Sequence, residues 1–494
     1  MDKNMLENNG QGLKKQLNPM SVWALAFGCV IGWGSFINPG KKFLPNSGVA
    51  GTAIAMLLGA LVMVIIAFSY AYLIPKYPKA GGEFTFTRQC YGKIPAFICG
   101  WFLVAAYLTN VPMNSTAIPL IIDGIFGEEA LNWGFSYKIA GSTVSLGGIL
   151  IAGFILILFG VLNILGVRKA AIVQTILASL LITCALTLCI SCIVSAESSG
   201  VNLEPIWGFD KAELKPLVDK AIEDGQSYQG LYTESMAKTN WMSSILATFA
   251  IAPWAFVGFD TIPQASEEFK FSYKKVIFIM IIAIAFGAFV YISNNTVAAA
   301  TLEYWPEEAA SGKWVVLIAG EKLLGKIPAR ILIGVGVSSA VLSGIMGFYL
   351  ASSRLMYSMS KSGYLPELFG KVDKKYGTPK NAIIFCVIVS LAGPILGREA
   401  LGWFVDMSAI GASIGFLFTS LATIHVLKRD KDRGAWLLVM SILGVIFSAS
   451  FIILQLIPIP GLSGVSFGTE SYIMLAVWVA IGTVFFFMQR KKLQ

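Results

Sequence analysis

The sequence predicts an all-α membrane protein with twelve transmembrane helices, on three observations. Hydrophobic residues make up 56% of the 494 positions and charged residues 13%. The mean hydropathy is +0.72, and apolar stretches long enough for one helical crossing recur along the chain. Soluble domains carry about 25% charged residues, so a water-soluble globule is excluded. The net charge of +9 implies no nucleic acid partner, because most Lys and Arg fall in alternate loops on one side of the expected membrane. That asymmetry places both termini in the cytoplasm and makes the chain a multi-pass protein of the cell membrane.

In chain order, residues 1–20 form a polar tail without an apolar core, read as a cytoplasmic segment and not a cleaved signal peptide. Five crossings follow at 21–44, 48–75, 95–125, 146–165 and 170–196. Residues 197–239 have an acidic excess and read as an extracellular loop, a solvated spacer with one short amphipathic helix. Five more crossings are expected at 240–264, 275–300, 328–358, 381–397 and 401–427. Residues 428–494 supply the last two, at 435–456 and 470–489, and a short cytoplasmic C-tail. The units are therefore a first five-helix group (21–196), a second (240–427) and two added helices. The seven cysteines lack metal-type spacing and read as core packing; Cys29 alone is placed to face a site.

Two crossings are interrupted. In the first, Gly28, Gly32 and Gly34 fall inside an otherwise apolar run. Glycine lets the backbone leave helical geometry, and an unwound stretch survives in hydrocarbon only where protein or a cavity receives its polar groups. Close packing against a small-residue face is the alternative reading. In the sixth, Pro253, Gly258 and Asp260 fall within eight residues; proline removes a helical hydrogen bond, and an acid at that depth is functional by default. Breaks in crossings one and six are what two five-helix units of inverted topology produce around a small-solute site.

Six segments then carry a resemblance: Gly28–Gly34, Tyr77–Phe84, Gly92–Trp101, Asn163–Arg168, Gly258–Glu268, and Ser353–Tyr357 with Gly363–Pro366 and Gly377–Pro379. With these in order, the chain resembles the amino acid, polyamine and organocation (APC) superfamily of secondary transporters, specifically its bacterial amino acid permeases. The resemblance implies the fold of the leucine transporter (LeuT): a 5+5 inverted repeat with helices 1 and 6 broken, plus two peripheral C-terminal helices. It implies that N–H groups of Ile31, Gly32, Trp33, Gly34 and Ser35 bind a substrate carboxylate, as unpaired donors at a helix start would. It also implies that carbonyls of Ala252, Ala255 and Phe256, ahead of Gly258, bind the amine, with Phe256 as an aromatic gate. Crossing three is implied to line the side-chain pocket, through Asn110 and Asn114.

Two departures stand out. Trp33 replaces a small residue common in relatives and reshapes one wall of the site. On crossing five, many relatives place a lysine that stands in for sodium, and the matching position here is Leu181. Ser338 and Ser339 resemble a hydroxyl pair that coordinates sodium in other members, although such hydroxyls also bond their own helix. Sodium at that pair, a proton at Asp260 or Asp406, and ion-independent exchange all remain open. His425, the single histidine, reads as an interfacial residue.

Crossing three offers no acid before Asp123, so a neutral, zwitterionic amino acid is the expected substrate. An amine, polyamine or cationic amino acid exchanger is the alternative, and a non-transporting amino acid sensor is a second. No Walker loop, nucleophile elbow or metal-spaced cluster is present in the sequence, so neither an enzyme nor a cofactor is expected. The lipid bilayer and the substrate are the expected partners, with the chain a monomer or homodimer.

Overall fold

The computed structural model describes residues 13–127, 130–139, 142–195, 203–397, 400–430, 434–459 and 466–493. Most of the expected N-tail and the start of the 197–239 loop lie outside the described residues. Among those described, nine helices are long and apolar enough to cross a membrane. The difference from twelve has local causes. Pro19–Lys76 is one apolar run of 58 residues and holds the first two expected crossings. The sixth is divided into Trp241–Phe249 and Ala252–Phe256, and the ninth is the short Lys380–Leu396.

Side chains set several helix starts. Asn18 accepts from the Ser21 amide ahead of Pro19–Val30, Ser145 from Gly148 ahead of Leu146–Ile164, and Asn240 from Ser243 ahead of Trp241–Phe249. Each supplies an acceptor to a first-turn N–H that has no partner in its own helix. One small β-hairpin, Ser136–Ile139 paired antiparallel with Ser142–Ser145, interrupts an otherwise helical chain. Its four-residue strands are too short to announce themselves by alternation.

Burial sorts the helices into centre and edge. The most apolar windows of Lys93–Phe126 and Lys326–Lys361 are 72% buried, whereas those of Ala435–Leu456 and Thr469–Gln489 are 22% and 11% buried. The first pair forms the centre of the bundle, and the last two helices cover its edge. Large apolar side chains left outside, such as Leu57, Phe154, Ile190 and Val194, form a surface that hydrocarbon solvates and water does not.

The 203–239 segment contains the expected helix, Lys211–Glu223, but is docked and not a free spacer. Phe209 donates its amide to the Pro45 carbonyl at 2.9 Å. Glu307 accepts the Gly230 and Tyr232 amides, each at 3.0 Å.

Several of the quoted segments meet at one end of the bundle. Glu267 accepts the amides of Leu13 and Ala80, and the Ala80 carbonyl takes the hydroxyls of Thr85 and Ser358. Leu17 bridges to Phe269. Beside them Arg354 pairs with Glu268 at 2.9 Å, with side chains 0% and 1% exposed.

Candidate functional site

The first break lies where Pro19–Val30 stops and Ile31 turns extended. The next returning backbone bonds come from Ser35 to Gly32 and Phe36 to Trp33, so the N–H groups of Gly32, Trp33 and Gly34 precede them. A helix start leaves such donors without intrahelical partners. The break also frees carbonyls, and side chains take them. Ser343 donates its hydroxyl to Gly28 at 2.9 Å, Asn294 its amide to Ser35 at 2.9 Å, and Trp314 its indole to Phe36 at 2.7 Å. One turn earlier, Gln174 donates to the Ala24 carbonyl at 3.2 Å.

The second break runs from Ala250 to Gly258. Ala252–Phe256 is one short turn started by Pro253, after which Val257 is extended and Gly258 has φ 141°. That backbone position disfavours any side chain. Space forbids one as well, since a Cβ on Gly258 would stand 2.4 Å from the Val30 nitrogen and 2.6 Å from the Cys29 carbonyl carbon. Gly258 is therefore packed directly on the backbone at the end of Pro19–Val30, beside the first break.

Ile31 to Ser35 make up the first break, and Ala252, Ala255 and Gly258 belong to the second. Asn114 joins them: its carboxamide oxygen lies 3.8 Å from where a Cβ on Gly32 would be. Asn110 is turned instead to Ser408, at 2.6 Å. Phe256 packs toward Gly59 and Tyr291, and the ring that faces Trp33, at 6.3 Å between centroids, belongs to Trp254. Cys29 points its sulfur at Gly347. Ser338 is half-buried and Ser339 buried, while the hydroxyl on a first-span carbonyl is that of Ser343. Asp406 lies at the edge of the bundle, where Ser471 donates to it at 2.6 Å. His425 stacks edge-on against Tyr91.

Asp260 belongs to a buried network. One of its oxygens accepts the Gly258 amide at 2.7 Å, and the other accepts the Tyr107 hydroxyl at 3.1 Å. Glu83, 0% exposed, accepts from Tyr70 at 2.7 Å and from Gln264 at 2.6 Å. Tyr107 also reaches Glu83, at 3.4 Å. A tyrosine hydroxyl thus stands between two carboxyl groups, one of which holds the second break. Sequence reasoning found Asp260 but not Glu83, although Glu83 sits in the quoted Tyr77–Phe84 segment. It likewise missed Gln174, whose signal was available as the sole carboxamide in an apolar span.

The Gly28 and Ala24 carbonyls are already held by neutral donors, and Leu181 is buried among apolar side chains. Among the described residues no group of His, Cys, Asp or Glu is arranged to hold a metal ion.

A helical bundle with apolar flanks and two broken spans in contact at its centre defines the class: a membrane transporter built around a small-solute site. The amino acid permease family model matches residues 17–486, and the chain belongs to that family, within the APC superfamily. It is 23% identical over 490 residues to the methylthioribose transporter of Bacillus subtilis (strain 168), covering 98% of this chain and 95% of the relative. It is 27% identical over 384 residues to the human large neutral amino acids transporter small subunit 2. That match covers 77% of this chain and 64% of the relative, so the chain spans just under two thirds of that protein. The human Asc-type amino acid transporter 1 is 27% identical over 411 residues, 81% of this chain and 70% of the relative.

Proposed function

We propose that this transporter moves a neutral, zwitterionic amino acid across the cell membrane by alternating access, with both termini cytoplasmic. On this reading the twelve crossings form two inverted five-helix repeats plus two peripheral helices. The substrate sits between 31–35 and 252–258. Its carboxylate meets the N–H groups of Gly32, Trp33 and Gly34, and its ammonium meets carbonyls of Ala252 and Ala255. The observation that carries the reading is the seat of Gly258 on Cys29 and Val30, which sets the second break against the end of the helix that leads into the first.

Neutral substrates are favoured because crossing three offers no acid before Asp123, and Asp260 is turned to the Gly258 amide and the Tyr107 hydroxyl. For coupling, the neutral donors on Gly28 and Ala24 favour operation without sodium. A proton carried by the Glu83–Tyr107–Asp260 network is the coupling ion to test, against exchange without any ion. A second reading, a neutral thiosugar substrate, is favoured by the end-to-end match to the methylthioribose transporter.

Uptake into liposomes should be measured for labelled neutral and cationic amino acids, amines and methylthioribose. Sodium or proton gradients should be imposed, with and without internal substrate. Accumulation of a neutral amino acid under a proton gradient supports the coupled carrier; uptake only with internal substrate makes it an exchanger. Binding without flux makes it a sensor, and uptake of methylthioribose alone replaces the amino acid reading.

A further inference from the structure

Buried polar atoms are almost always hydrogen-bonded, and each exception asks for a partner. Besides the Gln174 oxygen near Gly28, the exceptions around the first break include the indole nitrogen of Trp33, the carboxamide oxygen of Asn114 and that of Asn294. Their residues are 4%, 1% and 0% exposed. None can be dismissed as a misassigned amide, because the other end of each carboxamide is fixed. Asn114 donates its nitrogen to the Asn110 carbonyl at 2.7 Å, and Asn294 donates its own to Ser35 at 2.9 Å. The oxygens are therefore the free ends.

All three lie in or against residues 32–35. Trp33 is within the break, Asn114 reaches to 3.8 Å from a Cβ position on Gly32, and Asn294 is tied to Ser35. Gly32 to Ser35 are consecutive residues. The proposed carboxylate and ammonium contacts use backbone groups and consume none of these atoms. What remains is one donor, on an aromatic ring, and two acceptors, on amides, all three atoms buried.

We infer that the site selects neutral amino acids whose side chain carries a hydroxyl or carboxamide, read by the Trp33 indole N–H and the Asn114 carboxamide oxygen. Such a side chain both accepts and donates, so one group satisfies the Trp33 hydrogen and an Asn oxygen together. A purely aliphatic side chain of the same size would leave both unpaired in a desolvated site. This is the circumstance in which an enzyme or carrier rejects the analogue lacking the polar group most strongly. The inference rests on the amino acid reading above and names the side-chain chemistry of that same site.

Threonine and valine have nearly the same shape and differ by a hydroxyl, which makes them the probe pair, with serine and alanine as a second. Initial uptake of each should be measured in liposomes for the wild type, Trp33→Phe and Asn114→Leu, after each variant is checked for a monodisperse profile. Trp33→Phe keeps an aromatic ring and removes only the N–H, so it stands if Asn114→Leu fails to fold. The wild type is expected to prefer threonine to valine by about tenfold or more, and either variant to bring the ratio toward one. Equal uptake of threonine and valine by the wild type overturns the inference and leaves the amino acid reading standing, as does a threonine preference unchanged in Trp33→Phe. If no amino acid is moved at all, the reading and the inference fall together.

Discussion

Replacing Gly258 by alanine adds one methyl group at the point where the two broken spans touch. The residue sits at φ 141°, a conformation that costs an L residue roughly 1–3 kcal/mol. The new Cβ would lie 2.4 Å from the Val30 nitrogen, 2.6 Å from the Cys29 carbonyl carbon and 2.7 Å from the Cys29 Cβ. Two of those neighbours are backbone atoms, which cannot swing aside, and overpacking of this kind costs roughly another 1–3 kcal/mol. The sum, about 2–6 kcal/mol, is a large part of a typical folding stability of about 5–15 kcal/mol. Melting of purified protein in detergent and uptake in liposomes measure it. Gly258→Ala should melt earlier and lose most of its uptake, whereas Gly402→Ala, whose Cβ would meet nothing within 4 Å, should match the wild type. Wild-type melting and uptake in Gly258→Ala would refute the contact between the second break and the end of Pro19–Val30.

Arg354→Ala leaves Glu268 buried without its partner, a change that costs about 3–5 kcal/mol; a melting curve within error of the wild type would show the pair to be dispensable. Glu83→Gln removes one titratable carboxyl from the network around Tyr107 and should abolish accumulation driven by a proton gradient while sparing exchange of internal for external substrate. Proton-driven accumulation persisting in Glu83→Gln would take Glu83 out of coupling. Trp33→Ser removes the ring that faces Trp254 and should widen the substrate range in a competition panel, with unchanged selectivity showing that the ring does not border the substrate.

Features set by local chemistry were legible in the sequence. Glycines and a proline in apolar runs mark backbone breaks wherever they occur, so 28–36 and 249–260 could be read without partners. What depends on depth along a helix was not. Gln174 and Leu181 are seven residues apart, close to two full turns, so they share a face while differing in level. Ser339 and Ser343 are one turn apart in the same way, and only Ser343 meets the Gly28 carbonyl. Which aromatic of Ala252–Phe256 faces the first break depends on the phase of a single short turn, and the phase turned Trp254 inward. The hairpin strands, four residues each, were too short to show alternation, and the Glu83 network needed long-range pairing: Glu83 meets Gln264 across 181 residues of chain.

The central claim is that substrate lies against the first break, and Gly32→Leu tests it most directly. A Cβ on Gly32 would meet only the Asn114 oxygen within 4 Å, at 3.8 Å, so the fold should accept a side chain there while the substrate should not. Binding of labelled neutral amino acid to purified protein should be measured alongside melting. The account predicts near wild-type melting with binding abolished; wild-type affinity in Gly32→Leu would contradict it.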